Sequence, residues 1–196
     1  MVKRVIIVHR WGESPTSDWY EWLKDELEEK GFETLVPEMP EPNEPVIKAW
    51  VEHLDETVKK ADKDTYFVGH SIGCQAIMRY LETLPEKTKI GGAVFVAPWI
   101  GKKSKNLDPI SKPWVEKKMD LKKIKTILTK IVAIFSDNDP LVPLKESELF
   151  KKELGAKIII EKKKGHFRAE DGVTTPDVIL EETLEIMNQK GHPYYD

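Results

Sequence analysis

Cysteine is nearly missing from this sequence. Cys74 stands alone, so no intrachain disulfide can form, and a reducing compartment is expected. Long hydrophobic runs are missing as well. None approaches the ~20 apolar residues of a membrane span. The first, Val5 to Val8, is also shorter than the ~7–15 residues of a signal-peptide core. Nor is there an excess of positive charge. The 31 Lys and Arg residues face 34 Asp and Glu, for a net charge of −3, whereas a nucleic-acid-binding domain is normally basic. These absences lead us to expect a cytoplasmic protein that engages neither membrane nor nucleic acid. The chain of 196 residues is 40% hydrophobic and 33% charged. That suits one soluble domain with a sizeable core.

Short apolar runs alternate with amphipathic helical patterns. Strands are expected at Val5–Val8, Glu33–Val36, Thr65–Val68, Gly92–Val96, Ile131–Phe135 and Lys157–Ile160. Runs apolar throughout suit a parallel sheet covered on both faces. Asp18 reads as a helix N-cap, with Glu21 three positions on. Trp19, Trp22, Leu23 and Leu27 follow at helical spacing, and Gly31 sits where a terminating glycine belongs. Ile47, Trp50, Val51, Leu54 and Val58 form a second helical stripe; Cys74, Ile77, Met78 and Leu81 share the face of a third. Thr175 and Pro176 open a last helix. The prolines at 37, 40, 42 and 45 mark a loop. The Lys-rich stretch 101–125 is read as a loop or short helix over a site, too short for a separate lid domain. The expectation is one doubly wound α/β domain over 1–190, a mostly parallel sheet of about six strands, and a tail at 191–196.

The strongest motif is Gly69-His70-Ser71-Ile72-Gly73. It is a G-x-S-x-G that follows an apolar strand pattern and precedes a helix, the setting of a nucleophile elbow. A serine hydroxyl is a weak nucleophile and needs a base beside it. A sharp strand-to-helix turn also exposes it, and flanking glycines relieve the crowding. The helix start offers the Ile72 N–H as one oxyanion donor. His70 is read as lining the pocket or packing, and Cys74 as a small buried hydrophobe.

The base must come from a loop after a late strand, and His166, behind Gly165, does. The alternatives fit less well: His53 lies within a helix, His192 near the end of the chain, and His9 reads as structural or as part of the oxyanion loop. Two carboxylates follow the fifth strand, Asp137 and Asp139. Asp139 is preferred because Asp139-Pro140-Leu141-Val142-Pro143 sets it in a tight turn; Asp137 is the runner-up and suits binding of backbone N–H groups. The order nucleophile, acid, histidine is that of α/β-hydrolases.

With Ser71, Asp139 and His166 in place, the chain resembles the small lidless α/β-hydrolases of the YdeN and retinoblastoma-binding protein 9 family. The resemblance rests on His9-Arg10-Trp11 with Trp19-Tyr20-Glu21-Trp22-Leu23, the Gly69-to-Gly73 elbow, Ala97-Pro98, Asp139-Pro140 and Gly165-His166-Phe167. It implies an α/β-hydrolase core, a Ser71–Asp139–His166 triad, carboxylesterase-type activity and, for some members, protein partners. One departure stands out. Relatives commonly carry His-Gly where this chain has His9-Arg10, and glycine lets backbone approach a ligand. The second oxyanion donor is therefore expected from the N–H of Arg10 or Trp11, with the Arg10 side chain turned to solvent.

The expected reaction is hydrolysis of a small-molecule carboxylic ester through an acyl-enzyme on Ser71. Trp99 and Trp114, with Trp11, are expected to wall the acyl pocket, and no metal or cofactor is implied. Amides and thioesters stay open, since one triad serves all acyl transfers. The alternative is a protein-binding or scaffold protein on a hydrolase fold, with weak or no turnover.

Overall fold

The computed structural model describes residues 2–101, 109–128 and 130–187. The expected tail at 191–196, His192 and positions 102–108 of the Lys-rich stretch lie outside the described residues.

Among the described residues six strands form one sheet: β1 (Arg4–Val8), β2 (Glu33–Leu35), β3 (Thr65–His70), β4 (Gly92–Val96), β5 (Ile131–Ser136) and β6 (Lys157–Glu161). Every pairing is parallel, in the order β2-β1-β3-β4-β5-β6. The central strands β3, β4 and β5 are buried along their whole length, as their unbroken apolar runs require. The edge strand β6 is half exposed, and its Lys157 and Glu161 blunt the open edge.

The helices are α1 (Tyr20–Glu29), α2 (Ile47–Val58), α3 (Ile72–Thr83), α4 (Lys112–Glu116), α5 (Leu121–Ile127), α6 (Glu146–Leu149) and α7 (Asp177–Ile186). A π-helical turn, Phe150–Leu154, continues α6. α3 packs on β1 and β3 and between α2 and α5. Every residue from Ile72 to Leu81 is therefore buried, not only the expected face. α1 begins one residue later than its sequence pattern suggests. Trp19 takes the N-cap position, and Asp18 is held at φ +50° with its carboxylate bonded elsewhere. Gly31, at φ +85°, ends α1 as expected, its N–H donating to the Glu28 carbonyl.

Strand order reverses beside β1: β2 lies on one side and β3 to β6 on the other. Open α/β sheets gather ligands outside the carboxyl ends of the strands at such a switch point. In the parallel register Val8 stands opposite Gly69, and His70 opposite Val96. The loops after β1 and β3, carrying Arg10 and Ser71, therefore emerge side by side.

Candidate active site

Ser71 is the sharp turn between β3 and α3. Its backbone sits at φ +53°, ψ −115°, in the left-handed half of the map that costs a non-glycine residue about 1–3 kcal/mol. Two bonds hold it there. Its N–H donates to the Val96 carbonyl at 2.9 Å, and its own carbonyl accepts from Cys74 N–H at 3.0 Å. Gly69 and Gly73 make the turn possible through closeness. A Cβ on Gly69 would stand 2.9 Å from Cys74 N, and one on Gly73 would collide with the Val8 and His9 carbonyl oxygens.

His166 is fixed from three sides. Its N–H donates to Asp171 Oδ2 at 2.9 Å, its carbonyl accepts from His70 Nε2 at 2.8 Å, and its ring Nδ1 lies 2.8 Å from Asp139 Oδ2. A carboxylate only accepts, so Nδ1 carries the proton and Nε2 keeps a lone pair. The other Asp139 oxygen accepts the N–H groups of Leu141 at 2.8 Å and Val142 at 3.0 Å. Among the described residues no hydrogen bond joins Ser71 Oγ to His166 Nε2. Such bonds are often long in resting enzymes and tighten with substrate.

The polar run before Asp139 builds the seat of the histidine loop. Asp137 Oδ1 accepts Lys163 N–H, Ser136 Oγ accepts Lys164 N–H, and Asn138 Oδ1 accepts both Gly165 N–H and the Ser136 hydroxyl. Asp137 thus serves the backbone and Asp139 serves the ring. Arg168 hydrogen-bonds Asp171 and holds its carboxyl down to a pKa of about 2, keeping it an acceptor for His166 N–H.

Ser71, Ile72 and His166 line a cavity of about 290 Å³. Trp11, Trp99 and Val142 add walls; Ser111, just before α4, and Val115, within it, complete the lining. Leu141, 49% exposed, stands at the mouth. The volume lies near the lower end of the ~300–1,000 Å³ typical of small-molecule sites.

Three sequence expectations need correction. His70 does not line the cavity. It is fully buried behind the elbow, its Nδ1 2.7 Å from the Tyr20 hydroxyl and its Nε2 on the His166 carbonyl. Burial, and then nearby His166, push its pKa down to about 3, so the ring is neutral. Trp114 is also in the core. Its Nε1 donates to the Pro45 carbonyl, and its ring packs against Trp50 and Arg79. The Arg10 side chain does not turn to solvent: Asp18, Glu13 and Glu170 all draw it in, the first at 2.8 Å.

The Arg10 backbone N–H is also engaged, donating to the Tyr20 hydroxyl at 3.1 Å. That leaves Trp11 N–H as the one of the expected pair without a partner among the described residues. His9 sets its direction. His9 Nε2 accepts Met39 N–H, so Nδ1 carries the proton and donates to the Arg10 carbonyl at 2.8 Å. In a trans peptide the Trp11 N–H then points the opposite way. Burial lowers the His9 pKa and favours this neutral form.

The architecture is that of an α/β-hydrolase, with no lid evident among the described residues. The comparisons agree. The Bacillus subtilis ydeN gene product has a crystal structure that superposes with a TM-score of 0.87 at 26% identity, covering 96% of this chain and 100% of that one. In sequence, YdeN of Bacillus subtilis (strain 168) is 29% identical over 181 residues, 92% of this chain and 94% of its own. The serine hydrolase RBBP9 of Rattus norvegicus is 30% identical over 158 residues, 80% of this chain and 82% of its own. The sequence pattern of the serine hydrolase family matches residues 5–181, and the chain belongs to that family. No helix among the described residues is long and apolar enough to cross a membrane.

Proposed function

We propose that this hydrolase cleaves small carboxylic esters through an acyl-enzyme on Ser71. One observation carries the reading: the buried 2.8 Å contact between His166 Nδ1 and Asp139 Oδ2, in a histidine that shares a cavity with a serine at positive φ. Asp139 holds the ring in the tautomer whose Nε2 can accept a proton and stabilises the imidazolium that forms. Ser71 Oγ attacks the ester carbonyl carbon as His166 Nε2 takes its proton. The oxyanion accepts hydrogen bonds from Ile72 N–H, at the start of α3, and Trp11 N–H. One such donor is typically worth about 2.7–4 kcal/mol. Collapse expels the alcohol, which takes the proton back from His166. Water then attacks the acyl-enzyme with His166 again as base, releasing the acid and freeing Ser71.

The small cavity favours short acyl groups, with Trp11, Trp99 and Val142 as the apolar wall. A cytoplasmic location belongs to the same proposal, supported by a single buried cysteine whose thiol pKa burial pushes up. The test is turnover of p-nitrophenyl esters graded by acyl length. The expected result is a kcat/KM that peaks at short chains and vanishes in a folded Ser71→Ala variant. Undiminished turnover in that variant would refute the assignment.

A further inference from the structure

Asp18, Trp19 and Tyr20 lie more than 140 residues before the histidine loop, yet all three bond to the loops of the site. Asp18 Oδ1 accepts Ala169 N–H at 2.8 Å, and Oδ2 accepts Arg10 Nε at 2.8 Å. Trp19 Nε1 donates to the Phe167 carbonyl at 3.0 Å. The Tyr20 hydroxyl accepts Arg10 N–H and lies within reach of both His70 Nδ1, at 2.7 Å, and Asp18 Oδ2, at 3.2 Å. Its one proton has a definite place. His70 is neutral and donates from Nε2 to the His166 carbonyl, so its Nδ1 holds only a lone pair. The shorter bond takes the Tyr20 proton.

A continuous buried chain results: Arg10 N–H to Tyr20 oxygen, Tyr20 O–H to His70 Nδ1, His70 Nε2–H to the His166 carbonyl. One end is the residue before the Trp11 oxyanion donor. The other is the backbone of the base. His70 itself precedes the nucleophile. Tyr20 and His70 are both fully buried, so each bond lost would leave polar groups without water to replace them.

We propose that Tyr20 and His70 are positioning residues that hold the Trp11 oxyanion donor, Ser71 and His166 in mutual register. This rests on the hydrolase reading above. Neither touches substrate; both act through the backbone groups they hold. Asp18, strained at φ +50°, braces the same two loops through Arg10 and Ala169. Small displacements of pre-organised donors are expensive, because the transition state relies on them more than the ground state does.

The experiment compares wild type with Tyr20→Phe, His70→Leu, His70→Gln and the Tyr20→Phe/His70→Leu double variant. Hydrolysis of a short p-nitrophenyl ester is measured per active site, counted by fluorophosphonate labelling. The expected result for Tyr20→Phe is a fall in kcat of roughly tenfold or more, with KM within about twofold. His70→Leu falls similarly. His70→Gln, which keeps an amide donor for the His166 carbonyl, recovers part of the loss. The double variant costs no more than about the worse single, as residues acting as one unit do. Wild-type kcat per labelled site in Tyr20→Phe, with only a lowered melting temperature, would overturn the proposal by making the pair merely structural. Additive losses in the double variant would overturn it too. A wild-type protein that neither labels nor turns over would instead overturn the hydrolase reading, and this one with it.

Discussion

Mild acid should destabilise this protein through His70 before its carboxylates matter. The ring is fully buried and neutral, with its pKa lowered from 6.5 to about 3. Between those values the unfolded chain binds a proton at this position and the folded chain does not. Stability therefore rises with pH across the window and is lost as pH falls below about 6.5. Integrating that difference from about pH 6.5 down to about pH 4.5 gives a loss of roughly 2.3 kcal/mol from His70 alone. His9, whose pKa burial also lowers, adds to it in the same direction. Asp171, held at about 2, and Asp18, also lowered, contribute only nearer pH 4, and Glu182, whose carboxyl burial raises, acts in the opposite direction in both proteins, so the difference from the variant isolates His70. The assay is urea denaturation at pH 6.5, 5.5 and 4.5 for wild type and His70→Gln. The wild type should lose at least roughly 2 kcal/mol across the range, and the variant should lose less by about His70's share. An identical pH slope in both proteins would refute a neutral buried His70.

Three further predictions follow from the same geometry. Asp139→Asn should cut kcat by up to ~10⁴-fold by favouring the wrong imidazole tautomer, while Asp137→Asn, whose oxygen serves Lys163 N–H, should mainly lower the melting temperature; reversed phenotypes would exchange the two carboxylates. Arg10→Gln should lower turnover of neutral and anionic esters by the same factor, because three carboxylates already occupy the guanidinium; a loss confined to the anionic ester would place Arg10 in substrate binding. Gly73→Ala should destabilise the fold by about 1–3 kcal/mol in urea denaturation, because its methyl group meets the Val8 and His9 carbonyls; unchanged stability would mean α3 can move away from β1.

What was legible in the sequence was local. Val5–Val8 and Gly92–Val96 read as strands because burial on both faces leaves unbroken apolar runs, and the structure forms β1 and β4 there. Gly31 ends α1 because a positive φ is needed one step after the last helical turn. The Ser71 turn and the Asp139 turn were visible for the same reason, since each is built from residues adjacent in the chain. What was hidden depends on partners far away. Asp18 has the chemistry of an N-cap, but Arg10 and Ala169, the latter 151 positions on, outcompete the helix for its oxygens. His70 and Trp114 carry polar atoms that suit a pocket, yet each meets its hydrogen-bond partner inside the core, at the His166 and Pro45 carbonyls. Arg10 looked free because Asp18, its nearest partner, reads as a helix cap and Glu170 lies at the other end of the sequence; Glu13, three positions on, was in view. The Ser136-to-Asn138 run did carry a signal: three consecutive short polar side chains at the end of a buried strand need backbone partners, and the histidine loop supplies them.

The central claim is that Ser71 is an activated nucleophile. The most direct test is to treat the protein with a fluorophosphonate, digest it and locate the adduct by mass spectrometry. The account predicts one stoichiometric adduct, on the peptide carrying Ser71, abolished in Ser71→Ala and slowed in His166→Ala. Labelling of another residue, or none in the folded wild-type protein, would contradict it.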